Sequence, residues 1–306
     1  MESHSILYSC EQSIVRVLVL LAAYNGEKWI KEQVDSILNQ EDVSVDILCS
    51  VDLSCDQTLE ILENYNSNNV SVLPYGKIFG GAGPNFYHLI REAHFTNYDY
   101  IALADQDDIW LNDKISYAIR SMEEEETKAF SSDVTAFWSD GSTKLIKKSY
   151  SQTSYDYFFE SPGPGCSFVL ATDLALELQK FITSCDESSL IDLHDWLIYA
   201  YVRNCGHKWL ISRESKLLYR QHEENQCGAN SGLSGLRRRL EIMNSGWYAG
   251  EVLKLFKLFD PKSKLYKRLE RFHFVDRIFL FFASSKFRRK NKDKILLSVA
   301  ILLGIF

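Results

Sequence analysis

The 306 residues are 46% hydrophobic and 25% charged, with a formal net charge of −7. These proportions fit a folded globular chain and exclude disordered, collagenous and low-complexity classes. Seven cysteines without a C-x-x-C pair offer no zinc ribbon or thioredoxin-like motif, and an odd number scattered from Cys10 to Cys227 points to reduced thiols in a cytosolic setting.

The net charge hides a split. Residues 1–231 hold 17 Lys+Arg against 35 Asp+Glu, a balance of −18, and residues 232–306 hold 17 against 6, a balance of +11. An acidic body is joined to a basic tail, and the overall negative balance sets aside a nucleic-acid partner.

Met1 to Gln12 is polar and has no cationic n-region, so the apolar run from Val15 predicts a buried strand and not a signal peptide. Strands at Val15–Ala22, Val45–Val51, Val70–Leu73 and Tyr98–Ala104 alternate with helices at Glu27–Gln40, Gln57–Tyr65, Asn85–Phe95 and Asp113–Glu126. Repeated units of this length imply a mostly parallel, Rossmann-like α/β sheet. Gly80 to Gly83 lacks the Gly-Lys-Ser/Thr of a P-loop and reads as a flexible loop. Beyond residue 140 the pattern loosens. Residues 144–157 are polar and aromatic, 161–165 form a Pro/Gly loop, and 166–171 are strand-like. Helices at 173–181 and 193–202 and short strands at 208–212 and 216–222 follow.

The Gly/Asn/Ser-rich segment 225–234 marks a boundary, giving a main α/β domain over 1–231 and a helical basic tail over 232–306. Within the first domain, residues 14–140 form one half and 141–231 the other. No apolar run reaches the roughly 18–20 residues of a membrane span. The tail nevertheless has apolar stretches at 278–283 and 295–306 on either side of the cationic run 286–292. That arrangement suits an interfacial anchor at an anionic membrane surface. A helical hairpin capping the core, its basic face solvated, is the alternative.

In an open α/β sheet, ligands bind beyond the carboxyl ends of the strands. Here those ends carry Tyr24-Asn25-Gly26, Asp52 and Asp105-Gln106-Asp107-Asp108. Carboxylates gathered on one rim repel one another, and a hard divalent cation relieves that repulsion. The pattern therefore points to a metal and a nucleotide diphosphate.

Ala23-Tyr24-Asn25-Gly26-Glu27, Asp52 with Ser54, Asp56 and Thr58, Asp105-Gln106-Asp107-Asp108-Ile109-Trp110, His194-Asp195-Trp196 and Tyr219-Arg220-Gln221-His222 follow in that order. The set resembles glycosyltransferase family 2, and within it the bacterial rhamnosyltransferase-like group. The resemblance spans roughly residues 14–228 and implies an inverting, nucleotide-sugar-dependent transferase of GT-A fold. It implies that Tyr24 stacks on the nucleotide base and Asp52 accepts its ring N–H. Glu27, Asp105 and Gln106 complete the donor side. Asp107 would hold Mn²⁺ or Mg²⁺ on the diphosphate, with His222 a further ligand. Asp195 would be the general base, with His194, Trp196 and Trp110 on the acceptor side.

The implied donor is a dTDP- or UDP-linked sugar, and rhamnose is one candidate. The implied acceptor is a growing cell-surface glycan, and a lipid-linked one would place the enzyme on the cytoplasmic face of the membrane. This chain departs from the family at Val51, Leu53 and Gln57, where a second acid and glycines are usual. Ala22 replaces a common hydroxyl residue, and Leu197 replaces a frequent second tryptophan. A non-catalytic nucleotide- or glycan-binding scaffold and a nucleotidyltransferase are the rival readings of the same acidic rim.

Overall fold

The computed structural model describes residues 14–65, 68–222 and 245–306. The elements in order are β1 (Val15–Ala23), α1 (Ile30–Leu38), β2 (Val43–Val51), α2 (Thr58–Glu63), β3 (Val70–Val72), α3 (Ala82–Glu92) and β4 (Tyr100–Ala104). Next come β5 (Ile109–Trp110), α4 (Lys114–Glu124), β6 (Ala129–Ser132), β7 (Val134–Phe137), β8 (Thr143–Ile146), β9 (Val169–Ala171) and α5 (Thr172–Ser184). The chain continues through α6 (His194–Asn204), β10 (Leu210–Ser212) and β11 (Leu217–Arg220). The tail supplies α7 (Trp247–Phe259), α8 (Lys264–Arg271), α9 (Phe274–Ala283) and α10 (Asn291–Leu303).

Seven strands form the main sheet in the order β10-β6-β9-β4-β1-β2-β3. Only β9 runs antiparallel to its neighbours β4 and β6. Strand order reverses beside β1, whose Val17–Leu21 pairs with Tyr100–Ala104 on one side while Val15–Ala23 pairs with β2 on the other. β1 is apolar throughout because both of its faces are covered. Val17, Val19, Leu21 and Ala23 pack with Ile30, Val34 and Ile37 of α1 and with Ile115, Ala118 and Ile119 of α4. Leu18, Leu20 and Ala22 face Phe86, Leu89 and Ile90 of α3 and Leu197, Ile198 and Val202 of α6.

The tail adds to this second core. Val252, Leu255 and Phe256 of α7, Leu265 and Leu269 of α8, Leu280 of α9, Phe287, and Leu297 and Ile301 of α10 all belong to it. The expected boundary at 225–234 falls outside the described residues. No described helix is long and apolar enough to cross a membrane.

A second sheet, β5-β11-β7-β8, lies beyond the acidic end of β4. Sequence reading misses most of it. β5 has two residues, too few for a periodic signal. The chain changes sheets between β6 and β7 at Asp133, a residue 1% exposed. Its carboxylate accepts from the backbone of Lys148 and Ser149 at 2.6 and 2.8 Å. A buried aspartate between two strands reads as a loop residue until its distant partners are known.

Candidate active site

The ends of β1 and β2 are tied by a ladder of side chain to backbone bonds. The amides of Asn25, Gly26 and Glu27 donate to Ser54 Oγ, Thr58 Oγ1 and Asp56 Oδ2 at 3.0, 2.7 and 3.0 Å. In return, Cys55 N donates to Asn25 Oδ1 at 2.9 Å and Gln57 N to Glu27 Oε2 at 3.0 Å. Glu27 thus serves to hold the two loops together. Gln106 bridges from β4, accepting from Tyr24 N at 2.6 Å and donating to Tyr24 O at 2.8 Å. Gly26 permits that approach, since a Cβ there would lie 2.6 Å from Gln106 Oε1. The Tyr24 ring is left 55% exposed on the rim, where it is free to stack on a ligand.

Asp52 is buried, and its carboxylate accepts from the amides of Leu53, Phe79 and Gly80 at 2.7, 2.9 and 3.0 Å. These bonds order the glycine segment that was expected to be flexible, and α3 begins at Ala82, three residues earlier than its periodicity predicts. Gly83 is required there because a Cβ would lie 2.0 Å from Asp192 O.

At the end of β4, Asp107 is 8% exposed and Asp108 fully buried. Burial, then the neighbouring Asp107 charge, push Asp105 up to about 7. The same causes hold Asp108 well above the carboxylate range. The second sheet brings up their partners. Antiparallel pairing of β5 with β11 sets Leu218 opposite Ile109 and Leu217 opposite Trp110, so the residues after β11 emerge beside the acids. Arg220 N donates to Asp108 Oδ1 at 3.1 Å, and Arg220 Nε donates to Asp107 O at 2.7 Å. His222 Nε2 lies 2.7 Å from Asp107 Oδ2, its ring stacked on Trp29 at 4.0 Å. Asp107 and His222, 115 positions apart, are therefore neighbours.

Side-chain donors that converge within 4.8 Å come from Asp105, Asp108 and Cys166. Cys166 opens the segment that reads from the sequence as strand-like. It is buried, and burial followed by the Asp108 and Asp105 charges pushes its pKa well up. It is therefore a thiol that donates to the carboxylates and not a thiolate ligand. A hard divalent cation selects oxygen donors. The rim carboxylate of Asp107, backed by the mutually repelling Asp105 and Asp108 and flanked by His222, fits such an ion.

A different carboxylate stands apart from this cluster. Asp195 occupies the first turn of α6, and burial raises it to about 6 against the opposing hydrogen bonds from Ser161 and Trp196 N and the attraction of Lys148. It is near enough to contribute to the upward shift of Asp105, so the two carboxylates lie within electrostatic range of each other.

The loop before Asp195 is held by the tail. Glu251 of α7 accepts from Asp192 N at 2.6 Å, and Trp247 Nε1 donates to Asp192 Oδ2 at 2.6 Å. Arg289, 5% exposed, donates to Ser161 O at 2.6 Å and pairs with Asp156 and Glu160 at 3.3 and 3.7 Å. Part of the basic run expected to face solvent or lipid is thus built into the site's support. No local signal marks this role, because Arg289 lies 133 positions from Asp156.

The three aromatic residues expected on the acceptor side point inward. Trp110 and Trp196 are 2% and 3% exposed. Lys114 Nζ sits 3.4 Å from the Trp110 ring centroid, and Trp196 Nε1 donates to Tyr157 O at 3.0 Å. His194 stacks on Phe86 at 3.9 Å, and burial pushes it down to about 3, so it is a neutral core residue. Trp110 packs in the first core with α1 and α4, and Trp196 and the Phe86 under His194 in the second, which leaves Asp195 as the side chain of its motif not given over to the core.

Comparison with known proteins agrees with this geometry. Residues 18–165 match the family described as glycosyl transferase family 2. The chain is 40% identical over 290 residues, 94% of its length, to the whole of the dTDP-rhamnosyl transferase RfbG of Shigella flexneri. Among solved structures, S. aureus TarS 1–349 in complex with UDP-GlcNAc superposes with a TM-score of 0.55 at 17% identity, covering 95% of this chain and 81% of that one. Mannosyltransferase PcManGT from Pyrobaculum calidifontis, in complex with GDP-Man and Mn²⁺, gives 0.53 at 13% identity over 96% and 82%. The two structural likenesses establish a shared GT-A-like fold, and the end-to-end identity establishes more. The chain is a glycosyltransferase and belongs to glycosyl transferase family 2.

Proposed function

We propose that the enzyme is a metal-dependent, inverting rhamnosyltransferase that uses a dTDP-linked donor to extend a lipid-linked cell-surface glycan. The donor assignment is supported by the 40% identity to RfbG over that protein's whole length. The mechanism rests on one observation. A carboxylate raised to about 6 mainly by burial lies within electrostatic range of a cluster of three acids without being one of them.

The division has a chemical reason. A base beside a cation would have its pKa depressed and lose proton affinity, whereas Asp195 stays basic enough to receive the acceptor hydroxyl proton near neutral pH. As that proton passes to Asp195, the acceptor oxygen bonds to the donor's anomeric carbon. The bond from that carbon to the diphosphate breaks on the opposite face, which inverts the configuration. Tyr24 stacks on the base and Asp52 shapes the loop around it. Asp107, with His222, would hold Mn²⁺ or Mg²⁺. When bound, the ion stabilises negative charge on the diphosphate.

The tail supports a peripheral location. α9 and α10 expose Phe274 (61%), Val275 (70%), Phe282 (75%), Ile295 (66%) and Leu303 (63%), with exposed Arg271, Lys286 and Lys292 close in sequence. Apolar groups beside cations suit insertion at an anionic leaflet.

The test is nucleoside diphosphate release from dTDP-rhamnose and UDP-glucose with a glycan acceptor. We expect dTDP-rhamnose to be preferred, with turnover abolished by EDTA and in Asp107→Ala. Preference for UDP-glucose, or full activity in EDTA, would refute the reading.

A further inference from the structure

The loops after β1, β2 and β3 carry an apolar patch that packing within the fold does not explain. Seven large apolar side chains are exposed among the described residues before 223, and four of them, Tyr24, Leu53, Tyr75 and Ile78, stand on this rim. A single exposed leucine is ordinary, whereas several gathered together mark a binding surface.

Hydrogen bonds bring the four together. Asn25 N, next to Tyr24, donates to Ser54 Oγ at 3.0 Å. The Tyr75 hydroxyl reaches the same serine, accepting from Ser54 N at 2.9 Å and donating to Ser54 O at 3.1 Å. Leu53 N donates to Lys77 O at 3.1 Å. Ile78 is fixed between that carbonyl and the Phe79 amide, which donates to Asp52 Oδ1 at 2.9 Å. Phe79 turns its ring onto His88 of α3 at 5.0 Å, while Ile78 stays 75% exposed.

Leu53 and Ile78 thus border the Asp52 carboxylate. Among the described residues its Oδ1 accepts from Leu53 and Phe79, and its Oδ2 from Gly80, which leaves Oδ2 an acceptor position. The switch in strand order beside β1 directs a nucleotide to this rim. An acceptor there reads a pyrimidine's ring N–H, but uracil and thymine share that group and both carbonyls. Thymine differs by the methyl on C5 alone, which only apolar contact recognises. A single carbon, C4, separates C5 from the N–H nitrogen, so the residues bordering the carboxylate are those within reach of the methyl.

We propose that Leu53 and Ile78 read the C5 methyl of the donor's thymine and so select its base. The inference rests on the dTDP-linked donor proposed above and adds the residues that distinguish it from a uridine one. Leu53 is also one of the positions at which the chain departs from the acid and glycines usual in its family.

Calorimetric titration of the full chain with dTDP, dUDP and UDP, each in excess Mn²⁺, tests the assignment. dTDP and dUDP differ only in the methyl, and dUDP and UDP only in the ribose 2′-hydroxyl. We expect dTDP to bind about three- to tenfold more tightly than dUDP, the worth of one methyl in apolar contact. Leu53→Ser and Ile78→Ser should each cut that ratio by about half or more, whereas Leu53→Met should keep it. Both side chains are exposed, so neither replacement opens the core. Equal binding of dTDP and dUDP by the unaltered protein, or an unchanged ratio in both serine variants, would overturn the proposal. If the serine variants lose the preference while turnover favours a uridine-linked sugar, the donor reading fails and the methyl-reading pair stands. If turnover favours dTDP-rhamnose while dTDP and dUDP bind alike, the pair falls and the donor reading stands.

Discussion

Asp195 and Asp107 are both aspartates at element ends, yet their surroundings differ in the way the proposed division of tasks requires. Asp107 sits among acids and a histidine at the rim, whereas Asp195 is raised to about 6 mainly by burial. A base must be ionised to accept a proton, so turnover should fall as pH drops below about 6. A pH-rate profile with its acid limb near that value is the check. Asp195→Asn should lower kcat by about 10²- to 10⁴-fold, the usual worth of a general base. The raised pKa also has a consequence for stability. Between the unfolded value of 3.8 and about 6 the native state binds more proton than the unfolded chain. Stability therefore declines as pH rises through that window, and above it the ionised group is a net cost. The asparagine variant, which carries no charge, should melt no lower than the parent at pH 7.5 while losing activity. A lower melting temperature would show that the carboxylate is structural.

At the scale of elements, α1, α3, α4 and β1 to β4 were legible because their apolar spacing is local and strong. What sequence could not supply was pairing. β5 is two residues long, and its partner β11 lies more than a hundred positions away. That pairing delivers Arg220 and His222 to the acids. Asp107 and His222, which the structure brings together, were nonetheless named from their motifs, whereas Lys148, Ser161, Cys166 and Arg289 were not. Their roles exist only through contacts between distant segments. The aromatic motif residues erred in the other direction, because large apolar rings beside a site are drawn to the core. The connection between α9 and α10 illustrates the same point. Phe287, in the middle of a cationic run, is fully buried and stacks on Phe159 at 4.1 Å. Phe287→Ala should cost about 3–5 kcal/mol in a urea unfolding experiment. A loss below about 1 kcal/mol would mean that the tail docks only weakly on the body.

On the scale of the whole molecule, the charge split of −18 and +11 acquires a spatial meaning. Acids of the body cluster where a cation and diphosphate would bind, while the tail both packs into the core and keeps an apolar, basic face exposed. The protein should therefore sediment with vesicles containing phosphatidylglycerol and not with neutral phosphatidylcholine vesicles, and added salt should weaken that association. Replacing Phe274, Phe282 and Ile295 with serine should abolish vesicle binding while leaving transfer to a soluble acceptor intact. Binding that survives all three changes would place the membrane contact elsewhere.

The central claim is that a base on α6 drives direct displacement at the donor's anomeric carbon. Proton NMR of the product formed from dTDP-rhamnose, recorded before mutarotation or secondary hydrolysis, tests it most directly. The account predicts a new glycosidic linkage whose anomeric configuration is opposite to that of the donor, formed together with one dTDP per linkage. A linkage that retains the donor's configuration would contradict it.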